Sequence, residues 1–104
     1  MDTTGMVFRS VFVDPDIDKA LVAQAEREGI QKGVVFLRYL DKGMELARAG
    51  QPLPVVEANI TLALRTVHVP YRTDEQLRVD AFHLRISKMD ILRMYLRMGM
   101  EAEL

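Results

Sequence analysis

The stretch Phe8-Arg9-Ser10-Val11-Phe12-Val13 decides the fold, because it returns 56 residues later as Leu64-Arg65-Thr66-Val67-His68-Val69. In both copies β-branched residues recur at period two, the pattern of a strand with one buried face. Val11, Val13, Val67 and Val69 fall on that face; Ser10, Phe12, Thr66 and His68 fall on the other, which Phe8 and Leu64 extend. The match continues without a gap, laying Val7–Arg48 onto Ala63–Leu104 with 13 of 42 pairs identical, among them Arg9/Arg65, Asp18/Asp74, Lys32/Lys88, Tyr39/Tyr95 and Gly43/Gly99. The chain is two copies of one unit, and a unit this short rarely buries enough surface to fold alone. The copies are therefore expected to complete each other.

After each strand a proline punctuates the chain, Pro15 in the first copy and Pro70 in the second, and a helical pattern follows. Ile17, Leu21 and Ala25 make a stripe at four-residue spacing, repeated by Leu77 and Ala81. Gly29 suits a left-handed helix terminus, an advantage that its counterpart Arg85 lacks. A second helix follows in each copy, carrying Ile30, Val35, Phe36, Tyr39 and Leu40 and then Ile86, Ile91, Leu92, Tyr95 and Leu96. Ser87 is the better N-cap residue and Gln31 the poorer one. Gly43 and Gly99 mark either the ends of these helices or close approaches within them. The expected organisation is a tail over residues 1–6, a strand–helix–helix unit over 7–48, a linker over 49–62 broken by Gly50, Pro52 and Pro54, and a second unit over 63–104, both units sharing one domain. The apolar run Val55–Leu64 is expected to pack on the surface.

Composition narrows the function. With 49% hydrophobic residues a shared core is affordable, and without cysteine there is neither a disulfide nor a thiolate metal site. A secretion signal and a membrane-spanning run are both missing, so a cytoplasmic protein with no membrane partner is expected. His68 and His83 have no metal-ligand spacing. Two serines, no glycine-rich phosphate loop and no suggestive carboxylate pair give catalysis nothing to stand on, and no cofactor is implied. Net charge is −1 and neither copy is a basic block, so any nucleic-acid binding must come from a local patch.

The alternating strand, the proline turn, the helix ending at Gly29 and the polar-basic turns Ile30-Gln31-Lys32 and Ile86-Ser87-Lys88, in order and twice over, resemble the ribbon-helix-helix family of DNA-binding proteins, which includes the Arc and MetJ repressors. The resemblance covers about four-fifths of the chain. It implies a mainly α protein with a two-stranded antiparallel β-ribbon that enters the major groove of double-stranded DNA. Because one chain holds both halves, it implies a tandem form, as in the conjugation protein TraY, in which the two ribbon-helix-helix units make an intramolecular pseudo-dimer. Two chains exchanging equivalent halves would satisfy the same pairing.

On that resemblance Ser10, Phe12, Thr66 and His68 face the bases, where hydroxyl and imidazole groups bond base edges and Phe meets a thymine methyl. Gln31, Lys32, Ser87 and Lys88 form phosphate clamps at the helix starts. Arg9 and Arg65 share the valine face by strict alternation, as solvated edge charges, or reach from the strand towards phosphate. Phe8, Phe12 and Leu64 depart from the polar face usual in the family. The resemblance implies a sequence-specific repressor or a plasmid or relaxosome accessory protein. The alternative is a protein-interaction module, an antitoxin or assembly factor, on the same fold. Met89, Met94, Met98 and Met100 in the last helix read as core or as a surface for self-association or a partner protein.

Overall fold

The computed structural model describes residues 5–103. The element order is β1 (Met6–Val13), α1 (Pro15–Glu28), α2 (Lys32–Arg48), β2 (Ala63–Pro70), α3 (Tyr71–Leu84) and α4 (Lys88–Ala102). The protein is mainly helical, with the two strands paired antiparallel into one ribbon. Ser10 stands opposite Thr66, flanked by Arg9 opposite Val67 and Val11 opposite Arg65. Each of these pairings maps onto itself or onto its neighbour under the 56-residue offset, so the ribbon is symmetric about the Ser10–Thr66 pair.

Alternation predicts the buried side of the ribbon well. Val13, Val67 and Val69 are buried, Val7 and Val11 are half-buried against the core, and Phe8, Ser10, Phe12, Leu64, Thr66 and His68 are all exposed. Ile17, Leu21 and Ala25 of α1 and Leu77 and Ala81 of α3, the stripes read from the sequence, are buried in the same core as the valines. The long helices α2 and α4 supply the rest of the core, including the fully buried Val35, Phe36, Leu40, Ile91 and Leu96. Among the last-helix methionines Met98 and Met100 are core residues and Met94 packs partly against it, whereas Met89 is exposed.

Gly43 and Gly99 lie within the helices, and both are close approaches. A Cβ on Gly43 would stand 1.9 Å from the Tyr95 carbonyl oxygen, and one on Gly99 would stand 1.8 Å from that of Tyr39. Each glycine thus receives the backbone of the other copy's tyrosine, and no larger residue fits without moving a helix. Both tyrosine rings are buried beside this crossing. Tyr95 donates its hydroxyl proton to Asp80 at 2.7 Å; burial first, and then this carboxylate, push its phenol upward.

The two helix–helix turns close identically despite their different residues. Gly29 sits at φ 64° and the Ile30 amide donates to the Ala25 carbonyl at 3.0 Å; Arg85 sits at φ 56° and Ile86 donates to Ala81 at 3.1 Å. Arg85 is the one non-glycine with positive φ among the described residues. A left-handed residue with a Cβ costs about 1–2 kcal/mol, so tertiary packing of the half-buried Ile86 and of α4 holds a turn that local preference disfavours.

One cluster has no counterpart in the other copy. Asp14 and Arg93 are both buried; Arg93 Nε donates to Asp14 Oδ1 at 2.7 Å, and its Nη2 donates to the Glu57 carbonyl in the linker at 2.7 Å. Arg97 reaches Asp14 at 3.3 Å and holds Asp16 with two bonds at 2.8 and 2.9 Å. Asp14 precedes α1 in the N-cap position but makes no capping bond, its carboxylate being engaged by the arginines. The equivalent residues are Pro70, Leu37, Asp41 and Arg72, which cannot build this network. The linker is pinned at Glu57 and packs through Leu53, but Val55 is 91% exposed, so the expected surface packing of Val55–Leu64 does not begin at Val55.

Candidate nucleic-acid interface

The exposed ribbon face consists of three cross-strand pairs: Phe8 with His68, Ser10 with Thr66, and Phe12 with Leu64. All the residues read from the sequence as base-facing are therefore brought together on one surface. At its centre two hydroxyls stand side by side. Towards one end the Phe8 and His68 rings lie 5.0 Å apart, tilted at 58°. Towards the other, Phe12 and Leu64 are both aliphatic or aromatic, and with Phe8 they leave large apolar side chains 43–58% exposed. Exposed apolar side chains grouped on one face mark a binding surface better than singly scattered ones do.

Arg9 and Arg65 take an intermediate course. Their strand positions are on the valine side, and their guanidinium groups reach out to carboxylates contributed by the other copy. Arg65 donates to both oxygens of Asp18 at 2.7 and 2.6 Å, and Arg9 to those of Asp74 at 3.4 and 3.1 Å. Both arginine side chains stay about half exposed. The hydrogen bonds from Arg65 hold the Asp18 carboxyl below the usual carboxylate range against the pull of burial. Burial raises Asp74 most strongly of any single cause, yet the bonds from Lys88 and Arg9 outweigh it and keep that carboxyl low as well. Asp18, half-buried, and Asp74, buried, thus anchor the arginines beside the ribbon, a role that sequence reasoning does not assign. The signal was present: Arg9/Arg65 and Asp18/Asp74 are identical pairs at the same offset.

The flanks of the ribbon are the starts of α2 and α4. Lys88 and Met89 share a cavity of about 280 Å³ with Arg9, Ser10, Val11 and Phe12, so the start of α4 lies beside β1. In the same way α2 packs against β2, so its start lies on the β2 side. The two starts differ chemically. At α4, Ser87 accepts a bond from the Asp90 amide at 3.0 Å, Asp90 adds a carboxylate to the first turn, and Lys88 Nζ is tied to Asp74 at 2.6 Å. At α2, Gln31 makes no side-chain cap, the first turn holds no acid, and Lys32 forms no ion pair among the described residues. The Val34 amide donates to the Gln31 carbonyl at 3.1 Å, but the amides of Lys32 and Gly33 have no carbonyl within the helix and carry its positive dipole end, so this start is open to an anion.

Among the described residues no three His, Cys, Asp or Glu side chains gather into a metal site, and no helix is long and apolar enough to cross a membrane. The chain matches no protein-family model, no curated protein and no solved structure.

Proposed function

We propose that the chain binds duplex DNA by laying the β1–β2 ribbon in the major groove, as a tandem ribbon-helix-helix protein whose two copies act as the halves of a dimer. The observation that carries this is the ribbon itself: six exposed side chains on one face, related in pairs about Ser10 and Thr66. Duplex DNA has a local dyad, and its major groove, about 12 Å wide, admits a two-stranded ribbon. Arg9, Arg65, Gln31, Lys32, Ser87 and Lys88 flank the face and contact phosphates on either side. Half-engaged arginines serve this well, since a guanidinium held by one carboxylate keeps further donors for a phosphate. The biological role is repression of transcription or accessory binding at a conjugation origin in the cytoplasm, without catalysis.

With a net charge of −1, affinity should depend on these few contacts and fall steeply with salt. Fluorescence anisotropy with a set of duplexes covering the chain's own promoter region, titrated from low to physiological salt, tests this. Binding that weakens linearly on logarithmic axes supports it; no binding to any duplex at low salt sinks it. A second function, a protein-interaction module of the antitoxin or assembly-factor kind, is favoured by one observation, the exposed apolar trio Phe8, Phe12 and Leu64. It becomes the better reading if duplexes fail to bind.

A further inference from the structure

The 56-residue offset places Ser10 with Thr66, Phe8 with Leu64 and Phe12 with His68. The first pair keeps a hydroxyl and the second stays apolar. Only the third changes chemistry, from a ring without polar atoms to an imidazole that donates and accepts hydrogen bonds. Phe8, its cross-strand partner, supports the His68 ring at 5.0 Å, so the imidazole is held at the surface in a defined place. Phe12 has Leu64 opposite and offers contact alone. Base edges distinguish these chemistries: purine N7 and O6 accept, adenine N6 donates, and a thymine methyl rewards apolar contact.

The flanks differ in the same sense. Beside β2, Lys32 is unpaired among the described residues and the α2 start lacks both side-chain cap and acid. Beside β1, Lys88 is tied to Asp74, and Asp90 already occupies the first turn of α4. The helix start on the side bearing the imidazole is thus the more open to phosphate, although Arg65 on that side is held more closely by Asp18 than Arg9 is by Asp74.

We infer that the ribbon recognises a non-palindromic duplex site, with β2 reading a purine by hydrogen bonding through His68 and β1 reading thymine methyl groups through Phe12. The inference rests on the DNA-binding function proposed above and specifies its target class. Selection from a pool of duplexes carrying about 20 randomised base pairs, two helical turns, tests both. The intact chain should enrich a motif whose halves are unrelated. His68→Phe restores chemical equivalence at this position and should convert the enriched motif to a near-palindrome; Phe12→His should do so with the other half-motif. Both positions are exposed, and thermal melting verifies that the variants fold. A palindromic motif for the intact chain, or an unchanged motif in both variants, overturns the inference while leaving DNA binding in place. Failure to enrich any duplex overturns the DNA-binding function and the inference with it. As an independent readout, Lys32→Ala should lower the slope of log affinity against log salt by about one, and Lys88→Ala by distinctly less. Equal losses would overturn the assignment of the stronger phosphate contact to the β2 side.

Discussion

The first copy of the unit ends its shorter helix on Gly29, and the second ends it on Arg85, yet both turns make the same hydrogen bonds. The first copy precedes that helix with Asp14, which is buried against Arg93, whereas the second has Pro70 facing no such partner. The comparison separates two kinds of requirement. Backbone geometry is shared by the two copies, and it is enforced even where a residue suits it badly. Side-chain chemistry is free to diverge, and it has diverged into a buried ion network on one side only.

The shared part should be the hardest to break. Gly43→Ala and Gly99→Ala each drive a methyl into a tyrosine carbonyl, and each should cost about 3 kcal/mol in urea unfolding. The two costs should agree, since the contacts are reciprocal. Gly33→Ala is the control: nothing lies within 4 Å of its Cβ position, and the change should be neutral or stabilise by up to about 1 kcal/mol. Losses at Gly43 and Gly99 no larger than that would remove the close approach as the reason for these glycines.

Next in size comes the network that only one side possesses. Arg93→Leu copies the equivalent residue Leu37 but leaves Asp14 buried with Arg97 as its remaining partner, at a cost of about 3 kcal/mol. Adding Asp14→Asn should recover part of the loss, because no bare charge then stays buried. A single-variant cost below about 1 kcal/mol would mean that the network is solvated and holds nothing.

The smallest effect tests the turn. Arg85→Gly should raise stability by about 0.5 kcal/mol, relief of left-handed strain being partly offset by the freer unfolded chain, whereas Gly29→Ala should lower it by about 1 kcal/mol. If Arg85→Gly destabilises, the arginine side chain contributes more than its backbone costs.

Much of this was legible in the sequence, for reasons that can be named. The strands, both faces of the ribbon and the core stripes follow from period-two and period-four patterns, and period alone assigns Val13 inward and Phe12 outward. The helix starts at Ser87 and Gln31 fell where capping chemistry suggested, and the better cap does form its bond. What escaped depends on residues far apart in sequence. Nothing local to Arg85 announces a left-handed turn; the packing of Ile86 imposes it. Arg93, Asp14 and the Glu57 carbonyl meet across 79 and 36 residues, and no periodicity encodes such a meeting. The choice at Gly43 and Gly99 between helix end and close approach needed the opposite helix to decide it. On the candidate interface, the exposed positions are readable from alternation, whereas the carboxylates that engage Arg9, Arg65 and Lys88 are marked only by Asp18/Asp74 being an identical pair, and their crossing to the other copy's arginine needs the fold.

Both strands of the ribbon come from one chain, and that has an evolutionary consequence. In an assembly of two identical subunits, a mutation in the ribbon strand appears twice, once on each side of the axis, and both sides must tolerate it together. Here a codon for residue 12 changes β1 and leaves β2 as it was. Each strand can therefore drift or be selected alone, by single steps, while the reciprocal glycines and tyrosines at the helix crossing hold the two halves to a common frame.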